Sequence, residues 1–285
     1  MKPIVLDGAF GTCLWEEAEK RGIEKVSTWR YNIEHPELVE AIINAYDKAG
    51  SEIIYSNTFV AIRTILEAEH KEDKLEAVIR SGLRLVRESS DAKLAYSVGP
   101  LSKMMEPLGT MTREEVMDVY KEALDYAVLE NPDYIVLETF MDLNMLEAAA
   151  SVACQTKIPL ICSMTFPDGK RTLLGNSPKD MAERLESFNL AGIGTNCSVG
   201  PRLTVSLVEE FKKVTKLPLL VKPNAGELDA KSFAKKLAPC LKDVGFAGAC
   251  CGSSPEYIKY LAQEIQTDKE HVFEQAQKLM KRERH

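Results

Sequence analysis

Eight short, nearly continuous apolar runs divide the chain: "IVLD" (4–7), "EIIYS" (52–56), "KLAYSV" (93–98), "DYIVLE" (133–138), "PLICSM" (159–164), "IGTNC" (193–197), "PLLVK" (218–222) and "FAGAC" (246–250). Such runs suit parallel strands buried on both faces, where the alternation of a half-exposed strand disappears. Between them the apolar spacing becomes helical. In 36–49, Leu38, Val39, Ile42, Ile43 and Tyr46 fall on one stripe, with Pro36 suited to the first helical position and Gly50 to the stop. "TREE" (112–115) is a capping box that opens a helix ending near Glu130. "NSP" (176–178) and "SSPE" (253–256) each offer a cap followed by proline. A further capping box, Thr267 with Glu270, opens an amphipathic helix expected over about 267–282. Eight strand–helix alternations predict an α/β fold, a (β/α)8 barrel. The alternative, a doubly wound open sheet, lacks its G-x-G-x-x-G fingerprint here. With no repeat or linker, residues 1–285 read as one domain.

Composition adds limits. The chain is 45% hydrophobic and 28% charged, ordinary for a core-forming protein. A net charge of −7 argues against nucleic acid or an anionic membrane as partner. The first residues run straight into a strand and turn, and no window reaches the ~18 apolar residues of a membrane span. A cytoplasmic protein with reduced thiols is therefore expected. Its cysteines number seven, an odd count that argues for a metal-binding subset over a disulfide framework.

On a (β/α)8 barrel the chemistry sits at the C-terminal strand ends. Those ends carry Asp7, Asn57, Glu138, Met164, Cys197, Lys222 with Asn224, and Cys250 with Cys251. Three thiolates with a vacant fourth position would make a catalytic zinc site, and soft thiolates select zinc over magnesium or calcium. The same cysteines could equally be small buried residues at tight turns, and spacing alone leaves both readings open. Cys154 and Cys162 read as core, and Cys13 and Cys240 as structural. Asp7 precedes Gly8 in a turn whose backbone amides could cradle an anion. Asp7 and Glu138 could together hold an ammonium group, or each could satisfy a loop. Lys222 could form a Schiff base, as in a metal-free aldolase, or snorkel to water.

Taken together, the segments "DGAFGT" (7–12), "HPELVEAIINAYDKAGSEIIYSNTF" (35–59), "SVGPL" (97–101), "EPLG" (106–109), "IVLETF" (135–140), "SMTFPDGKRTLLGNSP" (163–178), "GTNCSVGP" (194–201), "PNAG" (223–226) and "GACCGSSPEYI" (248–258) resemble the homocysteine S-methyltransferase family. The EPLG, SMTF and PNAG segments look most like the homocysteine-binding barrel of cobalamin-dependent methionine synthase. Phe10 stands where the family's "DGAMGT" has methionine, and "GACCGSSP" stands for "GGCCGTTP". The resemblance implies one zinc ion (Zn2+) per chain on Cys197, Cys250 and Cys251, with the homocysteine thiol as fourth ligand. It implies an amino-acid pocket on Asp7, Gly8 and Glu138, the carboxylates taking the ammonium and backbone amides the carboxylate, and an Asn224 able to approach the metal when substrate is absent. The expected activity is methyl transfer to homocysteine, giving methionine. The sequence shows no corrinoid-binding D-x-H-x-x-G segment, so the methyl group is expected from methylcobalamin or another methyl-corrinoid supplied in trans, by a separate corrinoid-binding protein or by missing C-terminal modules. Alternatives are a free donor such as S-methylmethionine or betaine, and a homocysteine-binding subunit of a larger corrinoid methyltransferase complex.

Overall fold

The computed structural model describes residues 2–197 and 199–266. All eight expected strands form: β1 (Ile4–Val5), β2 (Ile53–Tyr55), β3 (Lys93–Val98), β4 (Tyr134–Phe140), β5 (Leu160–Met164), β6 (Gly192–Asn196), β7 (Leu219–Lys222) and β8 (Phe246–Ala247). They run parallel in the order β1-β8-β7-β6-β5-β4-β3-β2. A bridge from Leu6 to Ile53 and the bond from the Glu52 amide to the Val5 carbonyl (2.7 Å) bring the two ends of the sheet together. The result is a (β/α)8 barrel with helices alternating outside.

Side-chain alternation along the strands divides the core in two. Leu6, Ile53, Tyr55, Ala95, Val136, Ile161, Leu220 and Phe246 fill the barrel interior. The intervening residues, among them Leu94, Tyr96, Ile135 and Leu137, pack outward under the helices. This double burial is why the strands read as continuous apolar runs. Inside, space is tight: a Cβ on Gly194 would lie 1.9 Å from the Leu220 carbonyl oxygen.

The helix signals perform as the residues suggest. Pro36 opens the helix Pro36–Ala49, and Gly50 ends it in the left-handed conformation at φ 100°. Thr112 and Glu115 cap each other at the start of Arg113–Ala127, which tightens into a 3-10 turn, Val128–Glu130. Ser177, Pro178 and Asp180 do the same for Pro178–Leu185. A helix over 255–266 follows "SSP". The helix expected over 267–282 lies outside the described residues. Among the described residues, no helix is long and apolar enough to cross a membrane.

Candidate active site

Two residues above the apolar layer of the interior, the same inward parity turns polar. Tyr55 tops β2, Ser97 lies on β3, Glu138 on β4, Ser163 on β5, Asn196 on β6 and Lys222 on β7. Tyr55, Ser97, Glu138 and Lys222 floor a cavity of about 460 Å³ at the C-terminal end of the barrel, bounded on one side by the turn at Asp7–Gly8 and on another by Cys197, Cys250 and Cys251, while Asn196 and Ser163 stand behind Glu138 in a hydrogen-bonded chain.

Glu138 is 9% exposed. Its Oε1 accepts the Ser97 hydroxyl at 2.6 Å and its Oε2 accepts Asn196 Nδ2 at 3.0 Å. The β4–β5 register shifts between Leu137 and Phe140, and Thr139 lies in the left-handed region at φ 65°. That conformation is costly for a β-branched residue. Asn196 holds it there: its Oδ1 accepts the Thr139 amide at 2.8 Å and its Nδ2 donates to Thr139 Oγ1 at 2.7 Å. Glu138 keeps the inward parity of Val136, and the irregularity turns the strand just beyond it, sending Phe140 into the outer core.

Asp7 is wholly buried. Its Oδ1 accepts Lys222 Nζ at 2.6 Å and its Oδ2 accepts the Tyr55 amide at 2.8 Å. Lys222 is 3% exposed and its ammonium lies 3.7 Å from the Tyr55 ring centroid, a cation–π contact. The snorkelling reading of Lys222 is therefore corrected: inward parity on β7 points it into the barrel. Burial works against the lysine charge, yet the charges of Asp7, Glu138 and Cys250 outweigh it and leave the ammonium firmly protonated. An amine so held is a poor Schiff-base nucleophile. Burial pushes the Glu138 carboxyl up, against the opposing pull of Lys222 and the Ser97 hydrogen bond.

The three thiols come from two strand ends. Cys197 follows β6 in the left-handed region at φ 60°, its amide bonded to the Lys222 carbonyl at 2.9 Å. Cys250 and Cys251 follow β8 in a turn closed by the Ser253 amide on the Cys250 carbonyl at 3.1 Å, with Gly252 at φ 78°. A positive φ at the third position is what a type II turn gives to glycine, and it is how adjacent cysteines come to share a face. The β7 loop braces them: the Cys250 amide donates to the Pro223 carbonyl (2.8 Å), the Ala225 amide to the Cys251 carbonyl (3.0 Å) and the Asn224 amide to the Val199 carbonyl (2.9 Å). Asn224 thus sits where the three loops meet, and its buried Oδ1 has no hydrogen-bond partner among the described residues.

The three Sγ atoms lie within 4.8 Å of one another, and Cys197 and Cys251 are 3.7 Å apart. Tetrahedral zinc with sulfur at about 2.3 Å requires sulfurs about 3.8 Å apart, so the donor set fits the ion. Mutual hydrogen bonds with Cys197 and Cys251, and then burial, push the Cys250 thiol well up. Crowded thiols that resist ionising one by one are what a cation would relieve. Cys13, Cys162 and Cys240 are buried, and Cys154 is half-buried in a 3-10 turn.

Among the residues proposed from sequence, Asp7, Gly8, Glu138, Cys197, Cys250 and Cys251 all line the one cavity. Sequence reasoning overlooks Ser97, Tyr55 and the aromatic wall of Phe10, Trp15, Trp29 and Phe59 that line the cavity, and Asn196, which holds Glu138 from behind. The signal is the inward parity itself: Ser97 lies two residues beyond interior Ala95 and Tyr55 two beyond interior Ile53, and Asn196 takes the parity opposite to outward-packed Ile193.

Fold and site define a (β/α)8 barrel with a three-thiol, metal-competent centre beside a buried carboxylate. The chain belongs to the homocysteine S-methyltransferase family, whose model matches residues 4–265. It is 27% identical over 294 residues to a methionine synthase of Mycobacterium leprae (strain TN), covering 92% of this chain and 24% of that protein. It is 26% identical over 311 residues to betaine–homocysteine S-methyltransferase 1 of Danio rerio, covering 96% and 76%. The chain thus spans about a quarter of the one relative and three quarters of the other. Its fold is similar to the oxidized form of the Escherichia coli homocysteine methyltransferase MmuM, with a TM-score of 0.81 at 22% identity, covering 92% of this chain and 96% of that one. The metallated form of the same protein gives a TM-score of 0.79 at 20% identity.

Proposed function

We propose that this chain is a zinc-dependent methyltransferase that converts homocysteine to methionine, with a single barrel domain, residues 1–285, carrying the chemistry. The observation that carries the proposal is the trio of sulfurs within 4.8 Å at the mouth of a cavity with a charged floor. Cys197, Cys250 and Cys251 would hold the zinc, and Asn224 Oδ1, buried and without a hydrogen-bond partner among the described residues, would fill a place there when no substrate is bound. Zinc, when bound, supplies the positive charge that keeps a substrate thiol, with an ordinary pKa near ~8.5, in its nucleophilic thiolate form at neutral pH. The chain's own groups do the rest. Glu138 takes the substrate ammonium, held on target by Ser97 and Asn196. The Gly8 turn and the start of the helix Gly11–Lys20 offer backbone amides to the carboxylate. Anchoring both ends of the amino acid fixes where the sulfur sits, and a methyl group must then be presented in line within about 3–3.5 Å of it. Thiol ligands need a reducing compartment, which supports a cytoplasmic location.

For the donor we favour a methyl-corrinoid in trans, held by a separate corrinoid-binding protein. Exposed Met104 and Leu108 after β3, Met141 after β4 and Leu173 after β5 put apolar side chains on the loops of one side of the C-terminal face, suited to a broad partner. A second reading is a small cationic donor such as betaine or S-methylmethionine. The aromatic wall of Phe10, Trp15, Trp29 and Phe59 favours it, because aromatic faces attract onium groups. The test is methionine formation from L-homocysteine with methylcobalamin, betaine and S-methylmethionine at matched concentration. Turnover with methylcobalamin only supports the first donor. Turnover with a small onium donor only supports the second, and none with any donor refutes the activity.

A further inference from the structure

Asp7 and Glu138 face one cavity, yet they are not equivalent. Asp7 is paired with a full charge, Lys222 Nζ at 2.6 Å, and its other oxygen accepts the Tyr55 amide at 2.8 Å. Among the described residues Glu138 accepts only neutral donors, the Ser97 hydroxyl and the Asn196 amide. Lys222 is held in place from a second side by the Tyr55 ring, 3.7 Å from its ammonium. Among the described residues Lys222 forms its ion pair with Asp7, and Glu138, though its charge acts on the same ammonium, makes no ion pair with it.

We infer that Lys222 is the positioning residue that sets the charge specificity of this site: by neutralising Asp7 it leaves Glu138 as the one carboxylate open to a substrate cation. The inference rests on the reading of Glu138 as the homocysteine ammonium partner, and it revises the expectation that both carboxylates serve that role. The substrate class that follows is a thiol bearing a single ammonium group. Asp7 then acts through Lys222, keeping it off Glu138, and does not itself touch substrate.

The charge exchange makes this testable. L-Homocysteine and 4-mercaptobutanoate, which differ only in the ammonium group, are titrated calorimetrically into zinc-loaded full-length protein. Wild type binds homocysteine more tightly, by about tenfold or more, the effect of one charge-assisted hydrogen bond. In Asp7→Asn, which keeps an acceptor for the Tyr55 amide, Lys222 is released to pair with Glu138. The preference for homocysteine falls about tenfold, while 4-mercaptobutanoate binds as before. In Asp7→Asn/Lys222→Met the competing cation is gone and the preference returns. A purely structural role would weaken both ligands together and would not be rescued. Preference retained in Asp7→Asn, or not restored in a folded double variant, overturns the inference. If the double variant melts below the assay temperature, the single variant decides. Absence of any preference in wild type overturns instead the homocysteine reading on which the inference stands.

Discussion

Replacing Glu138 by Gln removes one charge with almost no change of shape, and the surroundings allow its cost to be worked out. The amide oxygen can still accept the Ser97 hydroxyl, now at 2.6 Å. The amide nitrogen takes the place of the oxygen that accepts Asn196 Nδ2 at 3.0 Å, so donor meets donor. Asn196 cannot turn its amide over without loss, because its Oδ1 already accepts the Thr139 amide and the Ser163 hydroxyl, both at 2.8 Å. One hydrogen bond to a charged group is lost inside the protein and a second is lost to the substrate ammonium, each worth about 1.5–3 kcal/mol. The second loss lowers the affinity for L-homocysteine about 10- to 100-fold, with zinc still bound. Stability follows pH with a definite sign. Burial raises the folded Glu138 pKa above its ordinary 4.5, so the glutamic acid favours the folded state below that value, and the contribution is lost as pH rises through the folded pKa. Glutamine does not titrate. The variant is therefore most destabilised relative to wild type in acid, and the gap narrows toward neutral pH. Calorimetric titration measures the affinity, and urea unfolding at about pH 4.5 and pH 7.5 measures the gap. Unchanged homocysteine affinity, or a gap that widens with pH, refutes the reasoning.

Other outcomes follow from single features of the barrel. Because the Cys250 thiol is held well above its ordinary pKa by its neighbours and by burial, zinc binding displaces protons, and zinc affinity rises with pH in competition titrations with a chelator; affinity independent of pH contradicts this. Gly194→Ala puts a methyl group 1.9 Å from the Leu220 carbonyl and costs about 3 kcal/mol or more of stability in denaturant unfolding; a native-like midpoint would mean that β6 and β7 can separate freely. Cys154→Ala keeps its full zinc content in elemental analysis, since that thiol bonds to the Ser151 carbonyl at 3.4 Å in a turn away from the cavity; loss of zinc would place it at the metal.

The barrel was legible because its strands are buried on both faces, a pattern that local sequence records directly. The placing of Cys197, Cys250 and Cys251 at strand ends on one rim was legible, while their spacing alone left a metal site and small buried residues equally open. The Asp7–Lys222 pair was not, because its partners are 215 residues apart and nothing local to either names the other. Thr139 was hidden for the opposite reason. A β-branched residue argues against positive φ, and the Asn196 side chain, 57 residues on, holds it there. Asn196 itself carries no motif of its own; its importance lies in bonding Glu138, Thr139 and Ser163 at once.

The central claim is that three thiols from two strand ends hold one zinc ion at the mouth of the cavity. Elemental analysis of zinc per chain, on wild type and on Cys197→Ser, Cys250→Ser and Cys251→Ser purified without chelator, tests it most directly. The account predicts about one zinc in wild type and a loss of most of it in each of the three variants, since a structural-strength site does not survive removal of one of three thiolate ligands. Wild type without zinc, or three variants that each retain the full complement, would contradict it.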